Sequence, residues 1–373
     1  MAKPRYGIGI VGLQPGRSWG AIAHVPALRT LSDDYEIVGV ANTSLASAKA
    51  AAAACDLPRA FADVDELVAS PDVDVVAVTV KAPHHFEIVK AAINAGKHVY
   101  CEWPLGNGLD EAQAMADLAR ATGVLGVIGT QARVAPEIEY LRELIATGFV
   151  GDVLSTTLIG SGVTWSDEVE RRNIYLLDRA NGATLLTIPV GHTLAAVRDV
   201  LGEVIELSAR LATRRTLARV IETGESMPMN SPDQVLIEGV LASGAPISIH
   251  YRGGLPRGTA FLWEINGTDG DIQVTGENGH AQLVQLSIRG ARGEERELRP
   301  LPVPDAYTSG WPENAIPGNV ARIYARMAAD LRDGSCTAPT FDDAARVHRL
   351  ITAVEAAADS GRRVSPNATD ACR

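Results

Sequence analysis

Five short apolar strand patterns alternate with helical patterns in the first 130 residues, and this alternation constrains the fold most. The strand patterns cover residues 6–12, 35–42, 74–80, 97–102 and 124–130. The helical patterns between them cover residues 44–57, 63–70, 85–96 and 109–123. Short strands that are apolar throughout and alternate with helices form a parallel sheet covered on both faces. The sequence therefore predicts a doubly wound α/β domain over residues 1–131.

The pattern changes near residue 131, where strands with a period of two become dominant. Four such strands are predicted at residues 152–160, 233–244, 246–254 and 259–270. Helical patterns remain at residues 136–148, 319–334 and 342–360. Alternating strands joined by short glycine turns indicate an open, mostly antiparallel sheet. We therefore expect a second, α+β domain over residues 132–373.

Composition excludes several classes of function. The chain of 373 residues has a formal charge of −11, and its densest basic run, residues 212–220, is typical of a solvated face, so direct nucleic-acid binding is not expected. No uninterrupted apolar run is long enough to cross a bilayer, so we expect no membrane partner. The four cysteines are scattered without metal-site spacing, which predicts a cytoplasmic protein without a metal.

A glycine-rich turn follows the first predicted strand. Residues 12–24 read GLQPGRSWGAIAH, and such a turn before a helix lets the backbone approach a phosphate while the helix offers free N–H groups. The spacing is longer than the usual dinucleotide fingerprint, so an ordinary glycine-rich turn is the alternative. The contacts predicted here are Gly12, Leu13, Ser18, Trp19 and Gly20.

The second predicted strand ends in Asn42, Thr43 and Ser44. An acidic residue at this place usually bonds the adenosine ribose of NAD. Its absence removes the repulsion that would exclude a 2′-phosphate, so these side chains suit NADP at least as well as NAD. A simple helix cap formed by Ser44 or Thr43 is compatible with both cofactors.

Several longer stretches resemble the Gfo/Idh/MocA family of oxidoreductases. The matching residues are His24 and residues 84–105, 126–136, 151–155, 182–197 and 264–272. The resemblance implies a Rossmann domain followed by a domain with an open, mostly antiparallel sheet. It also implies NAD(P)-dependent hydride transfer on a sugar, a cyclitol or a derivative. The further cofactor contacts that it implies are Thr79, Val80, His85, Glu102, Trp103 and Arg133.

Two departures from the family pattern bear on catalysis. Glu102-Trp103-Pro104 stands where family members usually carry Glu-Lys-Pro, and an indole cannot move the proton that the lysine moves. Ile188 replaces the usual aspartate four residues before His192. Both departures resemble the galactose-regulon repressor branch of the family. Trp103 would either pack over a cofactor or sugar ring or act as a structural plug.

Three residues are candidates for proton transfer. Lys81 directly follows a strand and would replace the missing family lysine if burial made it neutral; an exposed lysine or a phosphate contact is the alternative. His192 opens a helical pattern and titrates in the neutral range unless it is a structural cap. Tyr175 would serve a proton relay in the loop before His192.

These features predict an NAD(P)-dependent oxidoreductase whose small-molecule partner is a sugar or polyol. The alternative is a catalytically silent dinucleotide sensor that regulates a protein partner. A third possibility is a protein that binds a sugar without cofactor. Because the family's open sheet is normally covered by another subunit, the resemblance also implies a homodimer or homotetramer.

Overall fold

The computed structural model describes residues 5–366, and these form two compact units. The first unit contains residues 5–131 and 310–346, and the second contains residues 132–309 and 347–366. The α-helices of the described residues are α1 (Val25–Thr30), α2 (Leu45–Ala54), α3 (Val64–Ala69), α4 (His85–Asn94), α5 (Leu109–Thr122), α6 (Pro136–Ala146), α7 (Gly191–Leu201), α8 (Asp305–Thr308), α9 (Ala315–Asp333) and α10 (Phe341–Ser360).

The first unit is built on a five-stranded parallel sheet. Its strands are β1 (Tyr6–Val11), β2 (Tyr35–Ala41), β3 (Val75–Val78), β4 (His98–Glu102) and β5 (Gly126–Gly129). They lie in the order β2-β1-β3-β4-β5. Strands β3 and β5 are buried throughout, as their uninterrupted apolar sequences predicted. The order reverses between β1 and β3, which places the switch point of the sheet at their carboxyl ends.

The helix boundaries of this unit follow local capping signals. The Asp63 side chain accepts a hydrogen bond from the Glu66 N–H at 2.8 Å, which starts α3 one residue after Asp63. Gly123 ends α5 in the left-handed conformation with a φ of +69°. Both signals were readable from the sequence, so the predicted helices agree with the observed ones to within a few residues.

Residues 310–346 belong to the first unit, whereas the sequence-based division placed them in the second domain. α9 packs against α1 and the helical turn before it. The Ile128 N–H, in β5, donates to the Pro339 carbonyl at 2.9 Å. This return of the chain carries no local sequence signal, because an amphipathic pattern such as that of α9 does not indicate which unit the helix packs against.

The second unit contains an eight-stranded, mostly antiparallel sheet and a three-stranded sheet. Its strands are β6 (Val153–Ser161), β7 (Glu168–Val169), β8 (Val204–Ala212), β9 (Leu217–Val220), β10 (Ser226–Pro228), β11 (Gln234–Leu241), β12 (Pro246–Arg252), β13 (Phe261–Gly267), β14 (Gly270–Gly276), β15 (Ser287–Arg292) and β16 (Arg299–Pro300). The large sheet has the order β16-β15-β14-β13-β6-β12-β11-β8. Only its β6–β12 pair is parallel among the described strands.

Along the strands of the large sheet, residues alternate between a buried face and a more exposed face. In β12, Ile247, Ile249 and Tyr251 are buried, while Ser248 between them is exposed. One face therefore packs into the core and the other remains open. The predicted strand at residues 259–270 is in fact β13 and the turn that leads to β14.

Two expectations about surfaces can be compared with the structure. Within residues 212–220, Arg215 pairs with the buried Asp233 at 3.3 Å and Arg219 pairs with Glu168. Two of the three arginines in this run are therefore paired with carboxylates. In the described part of the chain, no helix combines the length and apolarity required to span a membrane.

Candidate functional site

The glycine-rich turn after β1 lies against the end of β3. Gly12 has a φ of +97°, and a Cβ atom there would lie 2.5 Å from Val80 Cγ1. A Cβ atom on Gly20 would lie 2.8 Å from Thr79 Oγ1. The Thr79 hydroxyl contacts the carbonyl oxygens of Val11 and Gly12 at 3.1 and 2.8 Å. The backbone is thus tightly packed at the β1–β3 switch point, where doubly wound sheets bind ligands.

Two predicted contact residues shape the loop after Gly12. The Leu13 N–H donates to Asn42 Oδ1 at 2.8 Å, and Asn42 Nδ2 donates back to the Leu13 carbonyl at 2.9 Å. The Gln14 N–H donates to Ser18 Oγ at 2.8 Å, and Ser18 Oγ lies 3.1 Å from the Gln14 carbonyl. Asn42 and Ser18 therefore hold the loop in a defined conformation.

Trp19 presents a hydrogen-bond donor next to this loop. It precedes a π-helical turn, Gly20–His24, that continues directly into α1. Among residues 5–366, the buried Trp19 Nε1 finds no hydrogen-bond partner. A buried donor without an acceptor costs free energy and is uncommon. The Trp19 Nε1 donor lies beside a glycine turn at the start of a helix, where an anionic ligand is favoured. The glycine turn and Trp19 therefore fit a dinucleotide pyrophosphate.

The polar residues at the end of β2 have different surroundings. Ser44 Oγ accepts a hydrogen bond from the Ser47 N–H at 3.2 Å and caps α2. Thr43 is exposed. Ser44 therefore forms the helix cap that the sequence left open as an alternative. The Thr43 hydroxyl is exposed, and residues 42–44 contain no carboxylate.

Lys81 lies at the surface of the first unit. It is exposed and directly precedes a 3₁₀ turn, Ala82–His84. The hypothesis that Lys81 moves a proton depended on burial of its ammonium group, and the structure shows the opposite. What remains is an exposed cation two residues after Thr79.

His85 connects the segments that follow β3 and β4. Its Nε2 lies 2.9 Å from the Val80 carbonyl and its Nδ1 lies 2.8 Å from the Pro104 carbonyl. Burial lowers the pKa of His85, although both carbonyl contacts act in the opposite direction. A neutral ring donates to only one of the two carbonyls. His85 thus fixes the spacing between the two segments.

Glu102, at the end of β4, belongs to a buried polar cluster that we call the His24 cluster, made of His24, Glu102, Gln131 and Tyr324. Glu102 Oε1 lies 2.8 Å from His24 Nε2, and Gln131 Nε2 lies 2.9 Å from both Glu102 oxygens. His24 Nδ1 lies 2.7 Å from Tyr324 Oη. The contributions of Gln131 and Tyr324 were not predicted, since Tyr324 lies on α9, far along the chain.

Trp103 is almost completely covered by the protein. Its side chain belongs to the core, with 6% of the residue exposed, and the peptide bond to Pro104 is cis. The burial supports the structural alternative for Trp103. The neighbours on both sides are also fixed, Glu102 by the His24 cluster and Pro104 by His85.

His192 lies in the first turn of α7 in the second unit. It follows a π-helical turn, Leu186–Val190, which contains the half-buried Ile188. Burial, assisted by the nearby His280, lowers the pKa of His192 to about 3. The ring is therefore neutral at physiological pH. It can hydrogen-bond a hydroxyl group but is a weak base.

A buried hydroxyl pair fixes the start of α7. Thr193 Oγ1 lies 2.6 Å from Tyr251 Oη, and Tyr251 Oη donates to the Gly279 carbonyl at 3.2 Å. A Cβ atom on Gly160 would lie 2.1 Å from the Tyr251 ring, so the ring packs directly on the Gly160 backbone. Tyr251, which the sequence did not single out, thereby positions the helical turn that carries His192.

The remaining predicted residues also lie in the second unit. Tyr175 is half-buried in a 3₁₀ helix, Arg171–Leu177, where burial raises its pKa. Arg133 forms a bidentate ion pair with Asp199, with N–O distances of 2.6 and 3.0 Å. This pairing already neutralises the Arg133 charge and differs from the predicted cofactor contact. No grouping of His, Cys, Asp or Glu suited to a metal occurs in residues 5–366.

Known proteins resemble both halves of the chain. Residues 6–130 match the oxidoreductase family with an NAD-binding Rossmann fold, and residues 136–276 match the C-terminal domain of Gal80p. Dehydrogenase aclE of Aspergillus oryzae is 30% identical over 375 residues, which span 97% of this chain and 98% of that protein.

Regulators and enzymes both occur among the similar proteins. The galactose/lactose metabolism regulatory protein GAL80 of Saccharomyces cerevisiae is 26% identical, over 85% of this chain and 80% of its own. A crystal structure of its super-repressor mutant has a TM-score of 0.87, with 24% identity and coverage of 97% and 98%. Levoglucosan dehydrogenase in complex with NADH and levoglucosan has a TM-score of 0.83, with 21% identity and coverage of 97% and 99%.

The fold and the glycine turn together define the class of Rossmann-fold proteins with a second, mostly antiparallel α+β domain. The chain belongs to the Gfo/Idh/MocA oxidoreductase family, as the full-length similarity to a dehydrogenase and the family match over residues 6–130 show. Within this family it lies near the Gal80 branch.

Proposed function

We propose that the protein is an NAD(P)-dependent oxidoreductase that transfers hydride to or from a sugar, a cyclitol or a related polyol. The observation that carries this proposal is the tight glycine turn at the β1–β3 switch point, with its buried indole donor. The similarity to a dehydrogenase along almost the whole chain supports it. Levoglucosan dehydrogenase, a structural neighbour, has been solved in complex with NADH and levoglucosan.

The residues of the first unit have separate proposed roles toward the dinucleotide. Backbone N–H groups of the turn and Trp19 Nε1 bind the pyrophosphate. Thr43 hydrogen-bonds the adenosine ribose or its 2′-phosphate, and the absence of a carboxylate beside it favours NADP slightly. The segments at residues 79–81 and 102–104 position the nicotinamide, which when bound supplies or accepts the hydride.

Lys81 and His192 are the residues proposed to act at the reacting hydroxyl, and the two make different predictions. Lys81 is exposed, so it would stabilise a developing alkoxide rather than act as a buried, neutral base. His192 is buried and neutral, so it would orient a hydroxyl group rather than store its proton. Tyr175 is the proposed relay residue of the second unit.

A second candidate function is a dinucleotide-dependent regulator without turnover. The residues that favour it are Trp103, which stands in place of the family's proton-transferring lysine, and Ile188, which stands in place of the usual aspartate four residues before His192. The similarity of residues 136–276 to the C-terminal domain of Gal80p supports this alternative. Such a protein would bind a dinucleotide and a protein partner, and it would not reduce or oxidise a sugar.

One experiment separates these functions. Binding of NADH and NADPH is measured by calorimetry, and turnover is measured with both cofactors on a panel of polyols, ketoses and anhydrosugars. Turnover that falls at least 100-fold in Lys81→Ala or His192→Ala assigns the proton-transfer residue; Lys49→Ala removes an exposed helical lysine as control. Binding without turnover supports the regulator, and binding of neither dinucleotide contradicts both candidates.

A further inference from the structure

The His24 cluster contains a continuous hydrogen-bonded chain through the interior of the first unit. His24 has no exposed surface, and its two ring nitrogens contact Tyr324 Oη at 2.7 Å and Glu102 Oε1 at 2.8 Å. The backbone carbonyl of Tyr324 in turn accepts a hydrogen bond from Tyr35 Oη at 2.7 Å. The chain therefore extends from α9 through the π-helical turn to the end of β4.

The chemistry of these groups sets the direction of the hydrogen bonds. A carboxylate accepts only, so His24 Nε2 carries the proton that bonds Glu102. Burial raises the pKa of Tyr324 well above its usual value, so its hydroxyl stays protonated. The hydroxyl then donates to His24 Nδ1, and His24 Nε2 donates to Glu102. The order of donation is Tyr324 to His24 to Glu102.

The chain joins two parts of the proposed cofactor site that are far apart in sequence. His24 ends the π-helical turn that begins at Gly20, directly after the glycine loop. Glu102 directly precedes Trp103 and Pro104, and His85 fixes the carbonyl of Pro104 from the other side. A shift of His24 would therefore move the phosphate-binding turn and the nicotinamide-positioning segment relative to one another.

We propose that His24 and Tyr324 are positioning residues for dinucleotide binding, and that the Tyr324–His24–Glu102 chain holds the phosphate-binding turn and the Glu102-Trp103-Pro104 segment in register. This inference rests on the proposed dinucleotide binding. Neither residue touches the cofactor in this arrangement. Their effect is on affinity, through the spacing of the two segments that a single extended ligand must contact at once.

The test compares substitutions that remove one contact each. Tyr324→Phe deletes only the hydroxyl that bonds His24, and we expect the dissociation constant for NADH or NADPH to rise about fivefold, because the two segments lose part of their preorganisation. His24→Gln keeps a hydrogen-bond donor for Glu102 but loses the contact with the Tyr324 hydroxyl. His24→Leu loses both contacts. We therefore expect the affinity to fall in the order wild type, His24→Gln, His24→Leu.

Tyr35→Phe is the matched control. It also deletes one buried tyrosine hydroxyl, which donates to the backbone carbonyl of Tyr324. This hydrogen bond does not belong to the Tyr324–His24–Glu102 chain. We expect its thermal stability to fall like that of Tyr324→Phe, with dinucleotide affinity within twofold of wild type. Equal affinities for Tyr324→Phe and wild type, or equal losses in both tyrosine variants, would overturn the inference. Failure of the wild type to bind either dinucleotide would instead overturn the proposed function.

A spectroscopic measurement tests the chain without any cofactor. In protein labelled with ¹⁵N-histidine, His24 Nε2 is expected to carry a proton and His24 Nδ1 to accept a hydrogen bond. Tyr324→Phe should shift the Nδ1 resonance of that ring and leave the other histidines unchanged. A proton on Nδ1, or an unchanged Nδ1 resonance in the variant, contradicts the proposed order of donation.

Discussion

At the scale of single residues, two glycines of the turn differ in the space that surrounds them. Gly12 and Gly16 both have positive φ values, +97° and +68°. A Cβ atom on Gly12 would collide with Val80, whereas a Cβ atom on Gly16 would meet nothing within 4 Å. The two glycines thus share a backbone conformation but differ in packing.

Alanine substitutions at these glycines should therefore differ in effect. Gly16→Ala is expected to cost only the left-handed backbone conformation, about 1 to 2 kcal/mol in the free energy of unfolding. Gly12→Ala adds a steric conflict with Val80, so we expect a larger loss and at least a tenfold weaker dinucleotide affinity. Urea unfolding and calorimetry measure the two effects. Equal behaviour of both variants would show that packing at Gly12 is not limiting.

Buried histidines in the second unit predict a loss of stability in acid. Burial lowers the pKa of His192 to about 3 and the pKa values of His280 and His348 to about 4. In the unfolded chain each histidine has a pKa near its unperturbed value of about 6.5, so the unfolded state binds more protons below that pH. Stability is fully present above pH 6.5 and is lost as the pH falls toward 4, by about 1.4 kcal/mol per pH unit and histidine.

The measurement is the free energy of unfolding between pH 7.5 and 4.5. His348→Gln, on α10, should reduce the slope by about one histidine's share. His84→Gln, an exposed histidine of the first unit, is the control and should leave the slope unchanged. An unchanged slope in the His348 variant would mean that this ring is protonated in the folded state.

At the scale of elements, one carboxylate organises the loop between α9 and α10. Asp330 is buried and accepts hydrogen bonds from the Ser335 hydroxyl, the Thr337 N–H and hydroxyl, and the Ala338 N–H, at 2.7 to 2.9 Å. Burial alone would raise the pKa of Asp330, but these hydrogen bonds outweigh it and lower the pKa. The side chain therefore replaces backbone partners where α9 ends.

Asp330→Asn is predicted to lower the free energy of unfolding by about 1 to 3 kcal/mol, because an amide nitrogen would face the Ala338 N–H and leave it unsatisfied. Asp333→Asn is the control from the end of the same helix, since Asp333 is exposed and accepts a hydrogen bond from the Ser335 N–H at 3.0 Å. Urea unfolding should show little change for Asp333→Asn. Similar losses in both variants would contradict the proposed role of Asp330.

The sequence predicted the elements of the first 130 residues well because their signals are local. Caps such as Asp63, and strands that are apolar at every position, need no knowledge of the rest of the chain. Strand β8 was not predicted, since its side chains alternate imperfectly between core and solvent. Contacts such as His24 with Tyr324 could not be predicted, because they depend on how α9 returns to the first sheet.

The candidate site shows the same division between local and long-range information. The glycines and the positions of Lys81 and Trp103 follow from the sequence. The exposure of Lys81, the burial of Trp103 and the pairing of Arg133 with Asp199 depend on packing that no motif encodes.

At the scale of the whole molecule, the open face of the eight-stranded sheet predicts self-association. A row of neighbouring residues across four strands includes Leu236, which is 39% exposed, and the half-buried Ile159 and Leu262. His250 lies between Leu236 and Ile159 in this row. Apolar side chains on an open sheet favour coverage by another protein surface.

We expect a homodimer or homotetramer in which this row is covered by another copy of the chain. Light scattering on a sizing column should give a mass two or four times that of the chain, and Leu236→Lys should reduce it. Leu255→Lys alters a leucine outside the sheet that is 60% exposed and should leave the mass unchanged. A monomeric wild-type protein, or a Leu236 variant with unchanged mass, would contradict this prediction.

The return of residues 310–346 to the first unit also has a consequence for biosynthesis. The ribosome makes β1–β5 early, but α9 is completed only after the entire segment 132–309 has emerged. The first unit is therefore completed only after the residues that form most of the second unit have been synthesised. A gene fragment that stops at codon 131 would therefore encode the parallel sheet without the segment 310–346 that completes the first unit, which is encoded some 180 codons downstream.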